Sequence, residues 1–348
     1  MQAADLSPGF FQGVVSVEEG DGWLKPWRLP HAQRRLFPTP DDGLLLRAEM
    51  ASSTRLRLTT DSDALAVNFL PLGARPEVCE KEGALFDLTI AGEIVATSRV
   101  PVGGTEARFS GLPAGEKTLE VWLPPEVPIS LTGVSIVAGA TCRVTDDPRP
   151  KWVTYGSSLT HCVRANSTSR TWPAIVARKH GLNLTSLGFG GQCCLDPMVA
   201  FTIRDLPADV ITLKLGINCI GGALSPRTFP GAVLGLVAII REKHPTTPIG
   251  LVSPIGYPPH ETTPNVVNYT ITGMRRDIAD VCDRLTEAGD ENIFYYDGLQ
   301  VFALDLIAEY TTDQCHPNGD GIEIMADNFD RTVMSDLVRR YPALGRRE

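Results

Sequence analysis

Between Arg55 and Leu123 apolar residues keep falling on every second position. Leu56 and Leu58 alternate with arginines, and the same spacing recurs in Leu65, Val67 and Phe69, in Phe86, Leu88 and Ile90, and in Leu119, Val121 and Leu123. A period of two marks strands with one face inward and one outward. The runs are parted by "PLGARP", "IAGE", "PVGGTE", "LPAGEK" and "LPPEVP", where glycine and proline punctuate turns. Short alternating strands of this kind predict an antiparallel β-sandwich, with no long helical pattern before residue 145.

After Pro150 the period changes. "WVTYG", "NLTSLG", "DVITLKLG", "PIGLVSP" and "NIFYYDG" are short and apolar throughout, as strands buried on both faces should be. Between the last two, Val267, Ile271, Met274, Ile278, Val281 and Leu285 recur at intervals of 4, 3, 4, 3 and 4, one face of a long helix. Phe229, Val233, Leu236, Val237 and Ile240 trace another, opened by "SP" and closed before Pro245. Alternating strands and helices predict a parallel sheet covered on both faces. The fold class is therefore α/β, a three-layer α/β/α domain preceded by the antiparallel β-sandwich. Residues 1–148 are assigned to the sandwich and 149–348 to the α/β domain, a division that suits a chain of 348 residues.

Charge narrows the partners. The net charge is −9, and neither half is basic: residues 1–150 carry 20 acidic and 14 basic side chains, the rest 21 and 18. Nucleic acid and anionic membrane are not expected partners. The N-terminus has no basic segment followed by an apolar core, and no apolar run approaches the ~20 residues of a membrane span. Eight cysteines (79, 142, 162, 193, 194, 219, 282 and 315) are too sparse for a disulfide scaffold, and none forms a CxxC pair. A cytoplasmic protein with reduced thiols is the expectation.

The chemistry concentrates where strands end. In an open parallel sheet, ligands bind beyond the carboxyl ends of the strands. "YGSSLT" closes the first strand of this domain, "LGFGGQCC" the second and "KLGINCIGG" the third. On its own a Ser-Ser turn is as well read as a helix cap. Near the C-terminus "TTDQCHPNGDG" places Asp313 three residues before His316, a spacing that lets the carboxylate meet the far ring nitrogen. Of the other histidines, His180 in "ARKHG" and His244 in "REKHP" suit helix ends, and His161 is a possible substrate contact. Trp23, Trp27 and Trp122 are read either as aromatic platforms for a sugar or polycycle or as core and domain-interface packing. Cys162, Cys194, Cys219 and Cys315 adjoin these segments and are read as packing thiols, not metal ligands.

The ordered set of Ser, Gly and Asn at three successive strand ends, with Asp-x-x-His following, resembles the SGNH/GDSL hydrolase superfamily from about Lys151 onward. The resemblance implies Ser158 as nucleophile, His316 as base and Asp313 as its orienting carboxylate. It also implies an oxyanion hole made by the Ser158 N–H, Gly191 and Asn218. Ser157 departs from the family, which usually has aspartate there. A sandwich ahead of such a domain is similar to two-domain carbohydrate esterases, and also to the acyltransferases that tailor polyketides, those moving a salicylyl group in tetracycline biosynthesis included. The reading taken is acyl transfer from a coenzyme A thioester to a hydroxyl of a polyketide-like molecule, with hydrolysis of a carbohydrate or small ester as the alternative. For transfer, acyl-CoA is a co-substrate, the partners are a small-molecule acyl donor and a hydroxyl acceptor, and no bound cofactor or metal is implied. Transfer further requires water to be kept out, so a wide apolar crevice is expected between the domains, walled partly by residues before Pro150.

Overall fold

The computed structural model describes residues 1–4, 6–73 and 83–345; Cys79 and the end of the "PLGARP" turn lie outside them. Among these residues the N-terminal domain holds β1 (Gln2–Ala4), β2 (Phe11–Gln12), β3 (Ser16–Gly20), β4 (Trp23–Trp27), β5 (Arg55–Thr60), β6 (Ala64–Phe69), β7 (Ala84–Ile90), β8 (Glu93–Val100), β9 (Glu106–Ser110), β10 (Lys117–Trp122), β11 (Leu131–Ile136) and β12 (Cys142–Val144). One sheet runs β3-β4-β11-β6-β9 with β1 also on β11, the other β12-β5-β10-β7-β8 with β2 also on β5. Both are antiparallel. The register sets Leu119 opposite Leu58 and Val121 opposite both Leu56 and Leu88, so the alternating leucines and valines share one face. Phe69 of one sheet stacks on Phe86 of the other at 5.2 Å.

The second domain contains β13 (Lys151–Gly156), β14 (Asn183–Gly188), β15 (Val210–Lys214), β16 (Ile249–Val252) and β17 (Ile293–Tyr296). They form one parallel sheet ordered β14-β13-β15-β16-β17. The chain steps from β13 to one side, then returns to build outward on the other. The crevice between β13 and β15 is thus the topological switch point, where such sheets bind ligands. Helices Trp172–His180 and Gly319–Phe329 pack on each other, and Pro197–Asp205, Phe229–Arg241 and Ile271–Glu287 make a second row. The last of these starts four residues later than its periodicity predicts. Asn265 Oδ1 accepts from the N–H groups of Val267 and Tyr269 and holds a turn there, and Thr270 then caps the helix.

The outer face of the β5–β10–β7 sheet is not solvated, contrary to the one-face-out reading. Arg55, Asp87, Thr89, Glu120 and Trp122 are all buried, because that face lies against the second domain. Strand β14 is the edge of its sheet, and an edge needs its free carbonyls covered. Arg55 donates to the carbonyl of Leu184 at 2.9 Å, and Arg28 to those of Ser186 at 3.2 Å and Gly188 at 2.6 Å. Two arginines of the sandwich thereby cap alternate carbonyls along the edge. Asp87 accepts from Ser167, Ser169 Oγ and Ser169 N at 2.5–2.9 Å across the same seam. Trp27, Leu29, Phe37, Leu44 and Trp122 belong to the hydrophobic core of the second domain, which settles Trp27 and Trp122 as packing and leaves them unavailable as platforms.

Candidate active site

At Gly156 strand β13 ends, and the chain turns at once into the one-turn helix Ser158–His161. Ser157 is its N-cap: its backbone is extended and its Oγ accepts from the Leu159 N–H at 3.3 Å. Serine and aspartate are both strong N-cap residues, so the departure from the family pattern keeps the cap. The helix lies hard against the end of β14, where a Cβ at Gly188 would come 2.4 Å from the His161 nitrogen. Only glycine permits that approach.

Ser158 Oγ lies 2.8 Å from His316 Nε2, and His316 Nδ1 lies 2.9 Å from Asp313 Oδ2. The other oxygen, Asp313 Oδ1, accepts from the backbone N–H groups of Cys315 at 3.0 Å and His316 at 2.7 Å. Gln314 takes a left-handed φ of 59° to close this turn, and Pro317 follows His316 without a helix. Partial burial works against ionisation of Asp313, but its hydrogen bonds from His316 and Cys315 outweigh that and hold the carboxyl down at about 2. A hydroxyl hydrogen-bonded to an imidazole, itself braced by an ionised carboxylate, can lose its proton as it attacks a carbonyl.

Gly191 and Asn218 follow β14 and β15, the two strands flanking β13. Gly191 has φ of +74°, and its N–H makes no hydrogen bond among the described residues. Asn218 Oδ1 accepts from the Cys193 N–H at 2.9 Å, which ties the two loops together and turns the amide nitrogen the other way. The Ser158 N–H, at the first position of its helix, has no intrahelical partner. These three donors stand at adjacent strand ends.

Two residues carry weight that no motif announced. Arg164 Nη2 donates to Asp313 Oδ2 and Nη1 to the His316 carbonyl, both at 3.1 Å. Lys214 ends β15 in register with Gly156 and is buried near the thiols of Cys162, Cys193 and Cys315; burial pulls its ammonium down to about 8. His161 is a correction. It is 1% exposed, with Nδ1 accepting from the Gly190 N–H at 3.3 Å and Nε2 2.8 Å from the Pro125 carbonyl, so it ties the sandwich to the Gly191 loop and meets no substrate. Among the described residues no group of three or more His, Cys, Asp or Glu side chains is placed to hold a metal ion.

The pocket beside Ser158 is small and is lined by Leu159, Cys162, Val163, Arg164, Pro317, Ile322 and Met325 together with Ser158 and His316. All of these lie in the second domain. The expected wall from residues before Pro150 is absent from this pocket; the sandwich touches the site from behind, where Arg47 donates to the Gly190 carbonyl at 3.2 Å.

Comparison with known proteins agrees with this layout. Residues 150–334 match the GDSL-like lipase/acylhydrolase family, and residues 10–128 match the N-terminal domain of SsfX3. The solved structure of a salicylyl-acyltransferase, SsfX3, from a tetracycline biosynthetic pathway is 37% identical, with 94% of each chain covered and a TM-score of 0.85. A putative GDSL-like lipase from Bacteroides ovatus ATCC 8483 is 22% identical, over 94% of this chain and 95% of that one, with a TM-score of 0.75. A family two carbohydrate esterase from Clostridium thermocellum shares the fold at 15% identity, over 85% of this chain and 94% of that one, with a TM-score of 0.62. No curated protein sequence matches significantly. The chain belongs to the GDSL-like lipase/acylhydrolase family and is an acyl-transferring or acyl-hydrolysing enzyme.

Proposed function

We propose that this member of the family is an acyltransferase that carries an acyl group on Ser158 from a coenzyme A thioester to a hydroxyl of a polyketide-like small molecule. The observation that carries the covalent chemistry is the hydrogen-bonded chain Ser158–His316–Asp313. In the first half-reaction His316 takes the Ser158 proton as Oγ attacks the thioester carbonyl. The Ser158 and Gly191 N–H groups and the Asn218 amide receive the oxyanion. Collapse expels the thiolate, which takes the proton from His316. In the second half the same imidazole takes the proton of the incoming alcohol, which attacks the acyl-serine, and then returns it to Ser158. Nothing in this sequence needs a metal or a redox group.

The likeness to a salicylyl-acyltransferase from a tetracycline biosynthetic pathway, over both domains, supports acyl transfer and an acceptor of polyketide type. A second reading, ester hydrolysis, draws on a different observation. The side chains of His316 and Asp313 are each 38% exposed, so water reaches the acyl-serine. The test is a product ratio. The enzyme is incubated with a panel of acyl-CoA thioesters, salicylyl-CoA among them, with and without polyphenolic acceptors, and the products are weighed by mass spectrometry. Acylated acceptor in excess of free acid supports transfer; free acid alone from every donor turns the assignment to an esterase.

A further inference from the structure

We propose that the cavity at the seam of the two domains is a second binding site, for a phosphate-bearing small molecule of nucleotide size, separate from the pocket at Ser158. It encloses about 690 Å³, within the range of small-molecule sites. Its walls come from both domains and from the segment joining them: Arg57, Lys117 and Glu120 from the sandwich, Arg149 from the connection, Arg178 from the second domain. Four cations thus line the cavity with one carboxylate, in a chain whose net charge is −9.

Internal pairing does not consume this charge. Glu120 is shared by Arg55, Arg57 and Arg149, and Asp147 takes further contacts from Arg55 and Arg149. Two carboxylates therefore meet three guanidinium groups. Lys117 adds a positive charge whose hydrogen bond goes to the Gly115 carbonyl at 3.0 Å. Arg178 adds another. Its Nη atoms donate to the carbonyls of Gly92 and Ser169, and its buried Nε finds no hydrogen-bond partner among the described residues. Glu93 and Asp87 are the acids near Arg178; Asp87 takes its hydrogen bonds from Ser167, Ser169 and Thr97, and among the described residues neither carboxylate is hydrogen-bonded to Arg178. Surplus positive charge together with a buried unpartnered N–H is what an anion relieves. Guanidinium forks fit phosphate oxygens. Ile90, Pro148 and Pro150 offer apolar surface to the remainder of the ligand.

The cavity is remote from the reaction. Pro150 precedes β13 and Ser158 follows it, so its six residues set the two about 20 Å apart. Phosphate at this site comes either from a free nucleotide or from the nucleotide end of a coenzyme A molecule. The test is isothermal titration with ADP, coenzyme A and pyrophosphate at one ionic strength, on the parent, Lys117→Ala, Arg178→Gln and Ser158→Ala proteins. One equivalent of ADP should bind. Lys117→Ala and Arg178→Gln should each weaken it at least tenfold, and Ser158→Ala should leave it unchanged. Coenzyme A displacing ADP identifies the second source; ADP binding without competition identifies the first. If Arg178→Gln does not fold, Lys117→Ala, whose side chain reaches the surface, carries the test. No binding by any probe at millimolar concentration, equal affinity in the parent and the Lys117→Ala protein, or loss of binding in Ser158→Ala would each overturn the proposal. Binding is read without turnover, so the outcome is independent of whether the enzyme transfers or hydrolyses.

Discussion

Arg164→Met should slow the enzyme without unfolding it. Arg164 Nη2 donates to Asp313 Oδ2 and Nη1 to the His316 carbonyl, both at 3.1 Å, so one guanidinium braces the carboxylate and the backbone of the base together. The Arg164 and Asp313 side chains are 43% and 38% exposed, so the pair is worth about 0.2–1 kcal/mol, the range of exposed ion pairs. If all of that energy goes into holding His316 within reach of Ser158, its loss should lower kcat/KM by up to about fivefold, since about 1.4 kcal/mol is a factor of ten. The rate is measured with a chromogenic acetate ester at one fixed pH. Arg164→Lys should recover part of the loss, and about 1 M salt should narrow the gap between parent and variant, because an exposed pair is screened over about 3 Å there. A loss of about a hundredfold or more, or a gap that salt does not narrow, would refute the electrostatic argument and leave only the bond to the His316 carbonyl.

Four further outcomes are expected. Ser158→Ala should lose nearly all turnover yet melt like the parent, while Ser157→Ala should stay within about tenfold in rate and lose about 1 kcal/mol of stability for its cap; the reverse pattern would show that the wrong serine has been assigned. Asn218→Ala should lower kcat by about 100- to 1000-fold with KM little changed, read by steady-state kinetics. Asp313 has a depressed pKa, so the stability it lends is fully present above the ordinary carboxylate value near 4 and is lost as pH falls through about 2; thermal melts of the parent and Asp313→Asn should converge across that window and separate above it. Arg28→Met should cost at least about 3 kcal/mol in denaturant unfolding, because Arg28 is fully buried and donates to the carbonyls of Met50, Arg47, Ser186 and Gly188.

What could be read from the chain followed how local each signal was. Period-two leucines in 56–69 and 86–123 and the apolar runs after Pro150 depend only on neighbours, and the sheets lie where those patterns put them. Asp313 and His316 sit on one turn, so their contact was also a local matter. Ser158 and His316 are 158 residues apart and became a pair only through the rule that parallel strands present their ends to one crevice. Arg164 had no such rule: it meets Asp313 because the left-handed Cys162 ends the short helix and sends the chain back across the site. Arg55, alternating with Leu56 and Leu58, reads as a solvent-facing strand residue. Alternation says which face fills the sandwich, and it is silent on whether the other face meets a second domain. His161 misled for a related reason, since closeness to Ser158 in sequence does not say which way a helical side chain turns.

The seam also bears on how an alcohol could win over water. A sandwich lying over the crevice would have shut water out, but the pocket at Ser158 is walled by the second domain alone, and His316 and Asp313 are well exposed. The sandwich acts from behind. Arg28 and Arg47 hold the carbonyls of Ser186, Gly188 and Gly190, and His161 holds the Gly190 N–H against the Pro125 carbonyl. Those contacts fix the loop that carries the Gly191 N–H, so the first domain bears on how well the oxyanion is held and not on how dry the site is. If the enzyme transfers, selectivity against water at ~55 M must then come from the acceptor itself. A bound hydroxyl held near attack geometry has an effective molarity of up to about 10⁵–10⁸ M, which outweighs bulk water without a lid. An acceptor that binds loosely gains none of this, and its acyl-enzyme should drain to free acid. The ratio of transfer to hydrolysis should therefore rise with acceptor concentration as occupancy rises, the occupied fraction of acyl-enzyme reaching one half at the acceptor's dissociation constant, while the rate of thioester cleavage stays the same.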